Sequence, residues 1–168
     1  PFTYQWNSGQ NTASISGLSA GNYSVTVTDA GGCSQTANTT ITEPSVLTSN
    51  LSSSSFGPYD IPCNGATNGT IDLTVNGGSI PYSYSWSNGA TTQDLQNVAA
   101  GSYSVTITDY NGCTETNSIT LTEPPAINTS LAPSTYPSGD NISCDGANDG
   151  DIDLTANGGA TPYTYTWS

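Results

Sequence analysis

The chain has 168 residues, with 13 Asp and Glu, no Lys, Arg or His, and a formal charge of −13. That excludes the basic footprint needed to neutralise a nucleic-acid backbone, and it disfavours docking on an anionic membrane. No apolar run reaches membrane-spanning length, and without His or a C-x-x-C pair there is no common zinc site.

The first elements in the chain are PFTYQW (1–6), then AGNYSVTVTDAGGC (20–33), a strand running into a Gly-bearing turn, then ITEP (41–44). All three return. PYSYSW occupies 81–86, AGSYSVTITDYNGC 100–113 and LTEP 121–124; residues 1–44 align with 81–124 without a gap, and about 20 of 44 positions are identical. The stretch IPCNGATNGTIDLTVNGGSIPY (61–82) returns as ISCDGANDGDIDLTANGGATPY (142–163), so the period is 80 to 81 residues. Proline cannot donate to a central β-ladder, so the two TEP sequences suit strand ends and unit boundaries. The expected organisation is the C-terminal half of one repeat (1–44), a complete repeat (45–124) and the N-terminal half of a third (125–168). No Gly/Ser-rich linker separates them.

Within the complete repeat every apolar run alternates with period two, the pattern of an antiparallel sheet with one packed and one wet face. The strands read as A (46–55), B (70–76), C (82–88), E (94–98), F (102–109) and G (114–122). Ile71, Leu73 and Val75 share a face of B, and Tyr82, Tyr84 and Trp86 share a face of C. Tyr103, Val105 and Ile107 share a face of F. With their counterparts Trp6, Trp167 and Tyr23, the residues Trp86, Tyr103, Val105, Ile107, Ile71, Leu73 and Val75 form the expected core. Asn76-Gly77-Gly78, Asn88-Gly89 and Asp109-Tyr110-Asn111-Gly112 supply the reversals. A Trp on the third strand and a Tyr two residues after Gly101 match the buried Trp and tyrosine corner of immunoglobulin-like sandwiches. The fold class is therefore all-β: tandem immunoglobulin-like antiparallel β-sandwich repeats of about 80 residues.

The string P-Y-x-Y-x-W-S-N-G-A-T-T (81–92), then A-G-x-Y-x-V-T-x-T-D-x-x-G-C (100–113), then T-E-P (122–124) resembles the SprB-type repeat. That family builds giant cell-surface adhesins of gliding bacteria. The resemblance implies an extracellular location on a bacterial cell surface, export by the type IX pathway, and a tandem-repeat filament.

Three groups of residues are candidates for chemistry. Cys33 and Cys113 sit at equivalent F–G turns, and Cys63 and Cys144 at equivalent turns before strand B. An even cysteine count in a polar chain reads as structural disulfides in an oxidising compartment. The pairing stays open between bridges inside this segment and staples from one repeat to the next. Asp145, Asp149, Asp151 and Asp153 offer hard oxygen ligands for calcium, against the alternative of an Asx-rich turn entering strand B. Asp29 and Asp109 end strand F where a carboxylate caps a turn. No carboxylate pair, nucleophile–base pair or cofactor motif stands out, so the expectation is not an enzyme. The leading reading is a stiff structural stalk whose partners are neighbouring repeats of its own chain and like filaments. The alternative is a carbohydrate- or surface-binding module, calcium-assisted, taking a surface polysaccharide.

Overall fold

The computed structural model describes residues 1–167, and these contain strands, turns and loops but no helix. They divide into two compact units, Pro1–Val46 and a second from Leu47 onward. The first holds β1 (Thr3–Trp6), β2 (Gly21–Thr28) and β3 (Ser34–Ile41), an antiparallel sheet in the order β1-β2-β3.

The second unit continues with β4 (Thr48–Ser53), β5 (Gly69–Asn76), β6 (Ser83–Trp86), β7 (Leu95–Val98), β8 (Gly101–Thr108) and β9 (Thr114–Leu121). It closes with β10 (Asn128–Pro133) and β11 (Ile152–Asn157). Two three-stranded sheets, β4-β5-β7 and β6-β8-β9, make the complete sandwich. In immunoglobulin lettering these are A-B-E and C-F-G, all antiparallel. β10 and β11 form a separate two-stranded ladder with the β4–β5 register, Leu131 opposite Leu154 as Leu51 is opposite Leu73.

Alternation explains the core. Along β5 the burial pattern follows the sequence residue by residue, with Ile71 and Leu73 at 1% exposure and Asp72 and Thr74 exposed. Trp86, Val105 and Ile107 face them from the other sheet and are buried; Val75, Tyr82, Tyr84 and Tyr103 pack half-buried at the margin. Trp86 Nε1 donates to Thr92 O at 2.9 Å, so burying its ring leaves no orphaned donor. Tyr103 Oη donates to Ala99 O at 3.0 Å, a tyrosine corner; Tyr23 repeats it onto Ser19 O at 2.9 Å. Four further core members, Leu47, Ile61, Leu95 and Val98, lie at strand ends or in loops where alternation gives no signal, while Leu121 ends the alternating strand β9.

One expected core residue is corrected. Trp167 is 63% exposed, and Trp6 is only half-buried. A tryptophan at this position is buried only when both sheets of its own sandwich are present, and residues 125–167 hold just β10 and β11 of theirs.

Candidate functional site at the junction between repeats

The most elaborated polar arrangement lies where the complete repeat hands over to the next. Asp60, in the loop after β4, binds the end of β9. Its Oδ2 accepts from Thr122 N at 2.8 Å and Thr122 Oγ1 at 2.7 Å, and its Oδ1 accepts from Ser53 Oγ at 2.6 Å. Asp60 N and Ile61 N both donate to Thr122 O. The Ser53 hydroxyl and the Thr122 donors favour the ionised carboxylate and hold the Asp60 pKa below its ordinary value.

The next residue of the TEP motif is gripped by the same loop. Glu123 accepts from Gly65 N at 2.8 Å and from Asn64 Nδ2 at 3.0 Å, while Asn64 Nδ2 also donates to Pro124 O at 3.1 Å. Pro124 is fully buried. Beyond it, Pro125 O accepts from Gly159 N at 2.7 Å, tying the connecting segment to the turn after β11. Ala126 O occupies the space a Cβ on Gly158 would take, and Gly158 has φ +77°, so only glycine fits there. A cleft of about 380 Å³ remains at this junction, lined by Pro62, Cys63, Pro124, Ile127, Gly159 and Ala160 among others.

The opposite end of the complete sandwich is organised by Asp109, at 5% exposure. Its Oδ1 accepts from Asn111 N at 2.9 Å and Cys113 N at 2.8 Å, and its Oδ2 from Ser79 N at 2.9 Å. Tyr110 N donates back to Ser79 O at 2.9 Å, so one carboxylate joins the β8–β9 turn to the β5–β6 turn. Burial pushes the Asp109 pKa up, but the N–H groups of Ser79, Cys113, Asn111 and Gly112 outweigh it and hold the carboxyl below its usual value. Asp29 caps its own turn in the same way, through Gly31 N at 2.8 Å and Cys33 N at 2.9 Å.

The four cysteines are free and exposed, and no disulfide joins them. The bridge Cys63–Cys113 is excluded by the fold. Ile61 N is bonded to Thr122 O at one end of β9, and Cys113 O to Asp109 N at the other. Eight residues of strand at about 3.4 Å each put roughly 27 Å between those ends, against a limit of about 7 Å between bridged Cα atoms. Cys144 occupies the loop position of Cys63 in the following repeat.

The proposed calcium ligands are not brought together. Among the described residues no three Cys, Asp or Glu side chains converge as a cation site. Asp149 turns back into its own loop, where Oδ1 accepts from Ser143 N at 3.2 Å; the Ser143 hydroxyl and N–H lower its pKa. Asp153 stands in the ladder opposite Ala132, and Asp151 uses its carbonyl to accept from Ser134 N. Asp145 is exposed in the loop before them. Of the tyrosines, Tyr110 is 74% exposed, whereas Tyr59 and Tyr136 are half-buried.

These residues form a joint in which Thr122, Glu123 and Pro124 are hydrogen-bonded to the loop after β4 and Pro125 to the turn after β11, with a turn-to-turn brace at the far end. Sequence inspection missed the Asp60–Thr122 and Asn64–Glu123 contacts because partners about 60 positions apart leave no local pattern. The recurrence of Thr-Glu-Pro at 42–44 and 122–124 was the available signal.

No curated protein matches the chain. The family model of the SprB repeat matches residues 56–91 and 139–168, overlapping parts of two successive repeats that run from the loop before the B strand to just past the Trp of the C strand. Over these two segments the chain is similar to the SprB repeat.

Proposed function

We propose that this chain is a stretch of a stiff stalk in a secreted bacterial cell-surface adhesin, serving surface attachment or gliding, with a structural and not a catalytic role. SprB repeats occur in cell-surface proteins, which supports an extracellular location. The observation that carries the reading is the linkerless junction. Thr122, Glu123 and Pro124 are held by the complete repeat, and Pro125 by the next. A joint in which residues 122–125 are each hydrogen-bonded transmits tension and resists bending, unlike a Gly/Ser tether. A surface with acidic groups and no cations keeps neighbouring stalks apart by unrelieved repulsion.

The cysteines fit the same role. Cys63 lines the junction cleft beside Gly159 and Ala160, the counterparts of Gly78 and Ser79. In the complete repeat Ser79 is bonded to the turn that ends at Cys113. In a longer array, each F–G cysteine is thereby carried toward the cysteine before strand B of the preceding repeat. Two such thiols, losing two protons and two electrons to a disulfide-donating oxidant, would staple the junction.

The test is electron microscopy of material sheared from the surface of producing cells. Sandwiches with eight-residue strands predict an axial repeat of roughly 30–40 Å, about 27 Å of strand plus turns. Compact particles, or flexible beads with uneven spacing, would overturn the reading.

A further inference from the structure

The complete repeat takes in the chain at one end and passes it on at the other. Leu47 enters beside the Asp109 brace: Thr48 pairs with Asn76, and a Cβ on Gly78 would lie 3.1 Å from Leu47 Cδ1 and 3.0 Å from Asp109 Oδ2. Thr122 to Pro124 leave at the opposite end, held by Asp60, Asn64 and Gly65. The eight residues of β9 separate the two ends by about 27 Å. Tension along an array therefore pulls β4 by its first residue and β9 by its last, in opposite directions.

Ladder hydrogen bonds lie across the strands. A load along the strands shears them together instead of unzipping them one at a time. Where the load leaves, β9 is laddered to β8 over eight residue pairs; where it enters, β4 is laddered to β5 over six. β4 is the shorter hold, and it has a ladder on one side only, because it is an edge strand.

The free edge of β4 lies beside β9. Both strands run from the brace end to the junction end, yet they belong to different sheets and share no ladder. Among the described residues, the hydrogen bonds that cross directly between them come from one side chain. Asn117 Nδ2 donates to Ser49 O at 3.2 Å and to Ser49 Oγ at 3.1 Å. Ser49 is one residue in from the loaded end of β4. Asn117 is a half-buried amide at an inward position, opposite Val105, where a polar group costs stability unless it is hydrogen-bonded. β3 has Ala37 at the same register position, opposite Val25, so the ladder itself does not require an amide there.

We propose that Asn117 is a load latch. It ties the strand where tension enters to the strand where tension leaves, so that β4 cannot slide off β5 until the Asn117–Ser49 bonds break. Its purpose rests on the stalk reading, since only a chain anchored at both ends is under tension. A repeat with alanine at this position yields at lower load, so an array containing both kinds lengthens one repeat at a time before it fails.

The test is single-molecule force spectroscopy on the 168-residue chain tethered at its two ends. Unfolding of residues 47–124 is recognised by a length gain of roughly 230–250 Å, their extended length less the span already present. Asn117→Ala should raise the unfolding rate at a given force about tenfold, and Ser118→Ala, on the outward face of the same strand, should leave it unchanged. A second tether separates a latch from general stability. In a chain carrying Cys33→Ser, Cys63→Ser and Cys144→Ser, pulling between the N-terminus and Cys113 loads the sandwich at its brace end alone, where ladders unzip. There the parent should unfold at lower force, and Asn117→Ala should change the rate by less than it does end to end. An equal loss along both tethers would make Asn117 an ordinary packing residue, and no loss end to end would show that β4 is held without it; either result overturns the proposal. Failure of the stalk reading would show separately, as compact particles in the micrographs.

Discussion

Adding one methyl group at Gly69 should damage the complete repeat more than its size suggests. Glycine in a strand ordinarily weakens it, and at a compatible backbone position Gly→Ala stabilises by about 0.4–1 kcal/mol through the unfolded state. Gly69 is such a position by conformation, since its φ lies outside the left-handed region. Sterically it is not. The new Cβ would stand 2.8 Å from Leu121 Cδ2, 2.9 Å from Val98 O and 3.3 Å from Ile61 Cδ1. Leu121 and Ile61 are fully buried, and the Val98 carbonyl is the backbone of β7 at a register shift in its pairing with β5. Relief requires moving β7 or repacking the core, an overpacking penalty of about 1–3 kcal/mol. In a domain of this size that lowers Tm by roughly 5–20 °C. The assay is thermal unfolding followed by Trp fluorescence, with Gly150→Ala as the matched control, since a Cβ there meets only Asn141 O at 3.5 Å and Ile142 Cγ1 at 3.6 Å. The control should melt like the parent or slightly higher. An unchanged or raised Tm for Gly69→Ala, or an equal loss in both variants, would refute the packing argument.

Trp86→Ala should cost about 3–5 kcal/mol, as for a large core truncation, and Trp167→Ala within about 0.5 kcal/mol; urea denaturation of the two variants measures both. The depressed pKa of Asp109 has a definite sign: its contribution is present above the unfolded value near pH 4 and is lost as pH falls through the lower folded value. The stability gap between the parent and Asp109→Asn should therefore be full at pH 7 and narrow below about pH 4, read as the difference between two Tm-against-pH curves. A gap independent of pH would show that the ionised carboxylate is not what the four N–H groups select. All four cysteines are exposed thiols, so an aromatic disulfide reagent should titrate four per chain without denaturant. Fewer than four under non-oxidising preparation would mean a bridge that this fold does not contain.

Alternation and turn residues made most of the fold legible. The strands expected at 70–76 and 102–109 appear as β5, one residue longer at its start, and β8, displaced by one residue at both ends, because their apolar residues recur every second position between glycine turns. Strand C is shorter than the expected 82–88, running from Ser83 to Trp86. It stops at Trp86, whose N–H turns back to Ala90 O, rather than at 88. Ile61 was invisible as a core residue because it stands alone between Asp60 and Pro62, yet it is completely buried beneath the end of β9. The junction clamp was illegible for a different reason. Asp60, Asn64 and Glu123 resemble other polar loop residues until the ends of the sandwich are brought together.

By itself the sequence determined what each segment is able to become: the two-residue period, the reversals at Gly and Asn, and an 80-residue repeat unit. It could not determine whether a segment does so. PYSYSW ladders as β6 in the complete repeat, while PYTYTW at 162–167 does not, and the same holds for 95–98 against 15–18. The residue types barely differ. What differs is the partner: β6 needs β8, and β7 needs β5, to satisfy its backbone N–H and C=O groups and cover its apolar face. A strand is a property of a pair, so only the tertiary structure decided which of the equivalent segments are strands and which tryptophans are buried.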